Sequence, residues 1–355
     1  MLNRVVVVGT GLIGTSIALA LHGQGVEVLL TDQDEVSLDL AVSLHAGERL
    51  PEQLAEPADL AVLAVPPDAI AGALALAQKQ SLARSYTDVA SVKERPLRDA
   101  ELLGCDMSSF AAGHPMSGGE RSGPLGARPE LFVGRPWVVC PTDESGIPAI
   151  AAVTALATAC GAVPVTMDAA AHDRSVALIS HAPHAVAAAM AARFAEAPEE
   201  AMRLTGQGAR DVTRIAAGDP ALWFAIFTAN AEPIADILEA VACDLAVAAA
   251  ELRAGAGART RALLERGTTG HARIPGKHGG PPSRYVNVPV LVSDRPGELA
   301  LLFHAASVAG VNVEDMTIEH SPGRSIGVVE LAVLPESADD LARELRARGW
   351  SVPER

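Results

Sequence analysis

Apolar residues recur along this chain at two different periods. Through residue 167, short β-branched runs alternate with segments whose apolar positions return at helical spacing. The runs Arg4–Val8, Val26–Thr31, Leu60–Val65, Tyr86–Val89, Ser109–Ala112, Trp137–Cys140 and Val163–Met167 read as strands. Such alternation builds βαβ units on a mostly parallel, doubly wound sheet of Rossmann type. From 168 to 253 the strand signal gives way to Ala-rich helical patterns such as His184–Ala197 and Asn230–Arg253, broken at Gly218-Asp219-Pro220. An all-helical domain is expected there. Helices apolar nearly all round need more neighbours than one chain offers, which points to an intertwined homodimer.

Residues 254–284 are rich in Gly and Pro, with Arg259, Arg261, Arg266, Arg273, Lys277 and Arg284 against one acid, Glu265. This composition reads as a linker. Strands and helices then resume over 285–355. Strand Tyr285–Val292 leads through the turn Asp294-Arg295-Pro296-Gly297 to a helix Glu298–Ala309. Strands near Asn312–Glu319 and Ile326–Val333 follow, then a helix Ala338–Arg348. A βαββαβ order fits an α+β module. The expected domains are 1–167, 168–253 and 285–355, with the linker between the last two.

Composition narrows the class. The chain has 355 residues, 49% of them hydrophobic and 20% charged, which suits a folded protein of several domains. A formal charge of -15 argues against nucleic acid or an anionic membrane as partner, while leaving small anionic substrates open. Cys105, Cys140, Cys160 and Cys243 lack zinc-ligand spacing and read as buried small hydrophobes in a reducing compartment. Met1-Leu2-Asn3-Arg4 runs straight into a four-valine strand, and the long Ala-rich segments carry charges or prolines. No signal peptide or membrane span is therefore expected, and the location expected is cytoplasmic.

The candidate chemistry lies in scattered pieces. Gly9-Thr10-Gly11-Leu12-Ile13-Gly14 joins a strand to a helix, which lets the backbone approach a pyrophosphate at the helix N-terminus. Asp32 ends the second strand, 18 residues beyond Gly14, where a carboxylate accepts the ribose hydroxyls of NAD and repels a 2′-phosphate. His114 follows an apolar strand and precedes Pro115, and Ser91 follows another strand. Ser91 is either a helix N-cap or a hydroxyl that orients His114, whose near-neutral pKa suits removal of an alcohol proton. His181 and His184 are three apart, readable as metal ligands, structural groups or substrate contacts; no carboxylate completes a metal site. Arg214, flanked by apolar residues, offers a fork-shaped guanidinium to a carboxylate.

These motifs, in this order, resemble the prephenate dehydrogenase family of tyrosine biosynthesis. The resemblance rests on Gly9–Gly14, Ser91-Val92-Lys93, His114-Pro115-Met116-Ser117-Gly118, Ser180–His184, Asp211–Ala216, Asp219–Trp223, Phe227 and Asn230. It implies NAD-dependent oxidative decarboxylation of prephenate to 4-hydroxyphenylpyruvate, in which His114 takes the hydroxyl proton as hydride leaves the same carbon. It also implies that Ser91 hydrogen-bonds His114 and that His184 and Arg214 hold the substrate. Gly119 and Gly218 depart from the hydroxyl residues often found at those positions. Glu120, a carboxylate near the substrate side chain, would favour the ammonium of arogenate. Asp294–Leu299 with Gly310-Val311-Asn312-Val313 resembles an ACT domain. That resemblance implies a tyrosine effector bound around Arg295, Pro296, Gly297 and Asn312. Two alternatives use the same folds. A β-hydroxyacid dehydrogenase typically relies on a lysine in its helical region, and 168–253 has none. An idle amino-acid sensor would not need His114, Ser91 and Arg214 together.

Overall fold

A computed structural model describes residues 2–118, 121–275, 285–320 and 325–353. It divides into two compact units, Met1–Ala242 and Cys243–Arg355, and helix Ala231–Arg253 spans the division.

In the first unit, β1 (Arg4–Val8), β2 (Glu27–Thr31), β3 (Glu48–Arg49), β4 (Ala58–Leu63) and β5 (Ala83–Asp88) form a parallel sheet in the order β3-β2-β1-β4-β5. Burial on both faces explains the four-valine run. Val5 and Val7 enter one apolar cluster with Ile17, Leu21 and Val62, while Val6 enters another with Leu63, Ile70 and Leu74. A second sheet holds β6 (Ala112–Pro115), β7 (Pro136–Cys140) and β8 (Val163–Thr166). The Tyr86–Phe110 bridge, with Ala111 N donating to Tyr86 O at 3.1 Å, sets it beside β5.

Two details differ from the sequence reading. β7 runs antiparallel to β6. The described residues linking them form only short 3₁₀ turns, Pro124–Gly126 and Pro129–Phe132, and none of the α-helix through which a parallel return usually runs. The expected strand Ser109–Ala112 is also displaced, because Met107–Ser109 is a 3₁₀ turn. His114 therefore lies inside β6, paired with Val138, and not beyond the strand's end.

After β8 the unit is helical. Helix Ala169–Val176 passes through a π-turn, Ala177–His181, into helix Ala182–Phe194. The Gly218-Asp219-Pro220 break is a helix start: the Asp219 side chain accepts from Ala221 N at 2.9 Å, with Pro220 in the first turn. The continuous helix Ala169–Phe194 is long and apolar enough to cross a membrane by length and composition alone. Its buried Asp173, however, is tied to the backbone of Lys93 and Glu94, as a core helix would be.

The second unit corrects the linker reading. Helix Ala258–His271 occupies about half of the stretch read as a linker. Its N-terminal amides are capped by a carboxylate from the preceding helix: Glu251 accepts from Arg259 N at 3.2 Å and Thr260 N at 2.8 Å. Arg266 Nη2 donates to both carboxylate oxygens of Asp244, at 2.8 and 2.7 Å. Lys277 and Arg284 lie outside the described residues. β9 (Val286–Ser293), β10 (Asp315–His320) and β11 (Ile326–Val333) form an antiparallel sheet in the order β10-β11-β9, with helices Glu298–Val308 and Pro335–Ala347. The last expected strand is reduced to one bridge, Leu291–Ser351. Val288, Val290 and Val292 alternate into a core with Leu302, Leu331 and Leu341, so this sheet buries one face. Among the cysteines, Cys140 and Cys160 are buried as expected; Cys243 is exposed and Cys105 half-buried.

Candidate active site

The glycine loop explains itself sterically. Gly9 has φ +100°, and a Cβ there would lie 2.4 Å from Ala64 O. A Cβ on Gly14 would lie 2.0 Å from Gly9 O. A Cβ at Gly11 would meet nothing within 4 Å, and this residue precedes helix Leu12–His22 as an N-cap with no side-chain cap. The helix N-terminus is thus open at the point where a pyrophosphate would bind. Asp32 is drawn to the loop, accepting from Thr10 N at 2.5 Å and Thr10 Oγ1 at 2.9 Å. With Gly9, Val65 and Pro66 it lines a cleft of about 1040 Å³, and the residues fit a dinucleotide.

His114 is held by groups that sequence reasoning missed. Its Nδ1 faces His172 Nε2 at 2.8 Å, and His172 Nδ1 faces Asp173 Oδ1 at 2.7 Å. The Asp173 carboxylate also accepts from Lys93 N and Glu94 N, and Asn230 Nδ2 donates to Asp173 O at 2.8 Å. The expected Ser91–His114 hydrogen bond is absent among the described residues: His172 occupies the Nδ1 side of the ring. Nor does Ser91 cap helix Glu94–Leu102, whose first amides go to Asp173. Lys93 pairs with Asp88 in the core and donates to Gly113 O at 2.7 Å, fixing the backbone just before His114. Burial pushes the His114 imidazole well below the usual histidine range, and His172, Lys93 and His181 nearby add to the shift. A neutral imidazole is what a proton acceptor needs. The missed pair did leave a signal: His172-Asp173-Arg174 is a run of ionisable residues of which two, His172 and Asp173, are buried.

The other candidates separate. His184 and Arg214 line a cleft of about 590 Å³ with Gly118, Arg121, Arg128, Gly218 and Trp223. His184 stacks on the Trp223 indole, ring centres 3.6 Å apart, and its Nδ1 is buried with no hydrogen-bond partner among the described residues. Gly218 makes that stack possible, since a Cβ there would lie 2.4 Å from the indole Nε1. His181 is not in this cleft. It is buried against Asn230 Nδ2 at 3.2 Å, and burial pushes its pKa down to about 4, so the substrate contact expected of it is corrected to a structural one. His181 sits edge-on to the same indole on which His184 stacks, ring centres 6.2 Å apart. Glu120 and Gly119 lie outside the described residues.

In the second unit, Arg295 and Pro296 form the turn before helix Glu298–Val308. Gly297 has φ +91°, a conformation that favours glycine, and Asn312 donates to Glu314 Oε1 at 2.6 Å.

Comparison with known proteins gives a consistent result. Residues 17–166 match "Prephenate dehydrogenase, nucleotide-binding domain", and residues 168–265 match "Prephenate dehydrogenase, dimerization domain". The probable prephenate dehydrogenase NovF of Streptomyces niveus is 39% identical, covering 98% of this chain and 99% of its own. The cyclohexadienyl dehydrogenase of Zymomonas mobilis is 30% identical over 68% of this chain and 86% of its own. Among solved structures, prephenate dehydrogenase from A. aeolicus in complex with hydroxyphenyl propionate and NAD+ superposes with TM-score 0.68 at 26% identity. It covers 77% of this chain and 99% of its own. Synechocystis arogenate dehydrogenase gives 0.63 at 27%, covering 76% and 98%. With two domains matched in order and a relative aligned over nearly its full length, the chain belongs to the prephenate dehydrogenase family.

Proposed function

We propose that this site carries out NAD-dependent oxidative decarboxylation of prephenate to 4-hydroxyphenylpyruvate, with His114 as general base. The observation that carries the reading is an imidazole, His114, held at Nδ1 by His172 at 2.8 Å, four residues before Gly118, which lines a cleft with Arg121, Arg128 and Arg214. NAD, when bound, supplies the hydride acceptor. The open amides at Gly11 hold its pyrophosphate, and Asp32 takes the ribose diol. Replacing Asp32 by alanine removes the like charge facing a 2′-phosphate. The kcat/KM ratio for NAD over NADP should fall by at least about tenfold, the weight of one charged contact; an unchanged ratio defeats the assignment.

Prephenate carries two carboxylates, whereas arogenate adds an ammonium. Arg121, Arg128 and Arg214 in one cleft therefore suit prephenate. Losing one charge-assisted carboxylate contact costs about 1.5–3 kcal/mol, so Arg214→Ala should raise KM for prephenate about 10- to 150-fold with kcat little changed. A variant with normal KM removes Arg214 from the substrate site. The reading as a whole is tested by NADH formation with prephenate and arogenate side by side, with and without tyrosine. Faster turnover of arogenate would replace it with the second reading, in which Glu120 holds the ammonium.

Two further parts of the reading concern assembly and control. Leu178, Ile179, Leu204 and Phe224 of the helical region are exposed and apolar, which supports a homodimer formed there. The antiparallel module after Val286, with its glycine-turned helix start at Gly297, supports an ACT-like tyrosine sensor.

A further inference from the structure

We propose that His172 and Asp173 are positioning residues that set the tautomer of His114, leaving its Nε2 bare to take the substrate proton. The inference rests on His114 being the base. Its argument follows the direction of each hydrogen bond in a buried chain.

The chain begins at backbone amides, which can only donate. Lys93 N points at both oxygens of Asp173, 2.8 Å from Oδ1 and 3.1 Å from Oδ2, and Glu94 N points at Oδ2 at 2.9 Å. The carboxylate is therefore an acceptor throughout, and the proton between Asp173 Oδ1 and His172 Nδ1, at 2.7 Å, belongs to the histidine. In a neutral His172 with its proton on Nδ1, the lone pair lies on Nε2. That lone pair faces His114 Nδ1 at 2.8 Å and accepts its proton. His114 is thereby left with Nδ1–H and an unprotonated Nε2. His172 and Asp173 are each 1% exposed, which keeps bulk solvent away from both bonds. When His114 Nε2 gains a proton, the imidazolium stays hydrogen-bonded to His172, whose ring is in turn polarised by Asp173.

The sequence reading gave the orienting role to Ser91, a hydroxyl that can donate or accept and so cannot choose a tautomer. A carboxylate pinned by backbone amides can choose one. Asp173 is also locked in place, since its own carbonyl oxygen accepts from Asn230 Nδ2 and its helix contains the turn leading to His181 and His184.

The test is Asp173→Asn. At the Oδ2 position two amides still require an acceptor, so the asparagine oxygen sits there and its NH₂ faces His172 Nδ1. His172 Nδ1 must then accept, His172 Nε2 must donate, and the His114 proton moves to Nε2, the atom that has to be bare. Glu94 N keeps its acceptor and Lys93 N keeps the 3.1 Å contact to Oδ2 while losing the 2.8 Å one to Oδ1, so a melting curve of the variant accompanies its kinetics. A wrong tautomer in a catalytic triad costs about 10⁴ in kcat. We expect kcat to fall about 10³- to 10⁴-fold, with KM for prephenate and NAD within about threefold of the original. His172→Gln, whose carbonyl can still accept from His114 Nδ1, should retain at least about tenfold more kcat than His172→Leu. Independently of any variant's folding, ¹⁵N NMR of the histidine-labelled, unmodified protein near pH 7.5 should show His114 with a protonated Nδ1 and an unprotonated Nε2, and His172 neutral. An Asp173→Asn kcat within tenfold of the original overturns the proposal, as does a His114 protonated on Nε2 or a His172 imidazolium. If His114→Asn itself keeps full turnover, the general-base reading falls instead.

Discussion

Replacing His114 by asparagine should lower kcat about 100- to 10,000-fold while leaving KM for prephenate nearly unchanged. The range is that of a positioned general base, equal to about 2.7–5.5 kcal/mol of transition-state stabilisation. Asparagine keeps a polar group facing His172 and the pairing of β6 with β7, so the fold should survive and the loss should be chemical. In the proposed reading substrate is held by a different set of residues, around Arg214 and His184, which line a separate cleft, so kcat and not KM should carry the change. The pH profile offers a second reading of the same residue. Burial and the neighbouring His172 lower the His114 pKa, so the acid limb of kcat/KM should lie below the ordinary histidine range, and activity should hold as pH falls through 6.5. A variant turning over at a near-normal rate would take His114 out of the mechanism.

Lys93→Met should destabilise the unit bearing the site by about 3–5 kcal/mol, the usual cost of stranding one member of a buried ion pair. Lys93 and Asp88 are 0% and 1% exposed at their side chains, so no solvent screens the charge left behind. For a unit of this size about 1 kcal/mol moves Tm by roughly 2–4 °C, giving a fall of about 6–20 °C by calorimetry. The loss should be smaller in the double variant Asp88→Asn, Lys93→Met, which removes the stranded charge yet keeps an oxygen for the amides of Ala90 or Gly113. Activity should suffer as well, because Lys93 Nζ also holds Gly113 O beside the base. A single variant melting within about 2 °C of the original would show that the pair contributes little.

What the sequence determined by itself was everything set by near neighbours. Apolar runs such as Val5–Val8 announced strands covered on both faces, because a central parallel strand has no polar side to show. Gly9 and Gly14 were legible because backbone conformation and close approach exclude any side chain there. Asp32 was legible because the βαβ spacing returns the second strand to the loop. The break at Gly218-Asp219-Pro220 marked a helix start through local capping chemistry.

Only the tertiary structure decided which groups face one another. The His114 partner is 58 residues away in sequence, and Asp173 caps a helix 80 residues before it. A hydroxyl at Ser91 looked like the natural partner until the fold placed an imidazole there instead. His181 and His184 looked equivalent until the fold gave His181 a buried partner in Asn230 and stacked His184 on Trp223 in the cleft. Helix Ala258–His271 was read as linker because its cap, Glu251, comes from another helix. The physical reason is the same in each case. A hydrogen-bond partner or a cap depends on where the ends of distant elements meet. That meeting is set by packing of whole layers, which no local pattern of residues encodes.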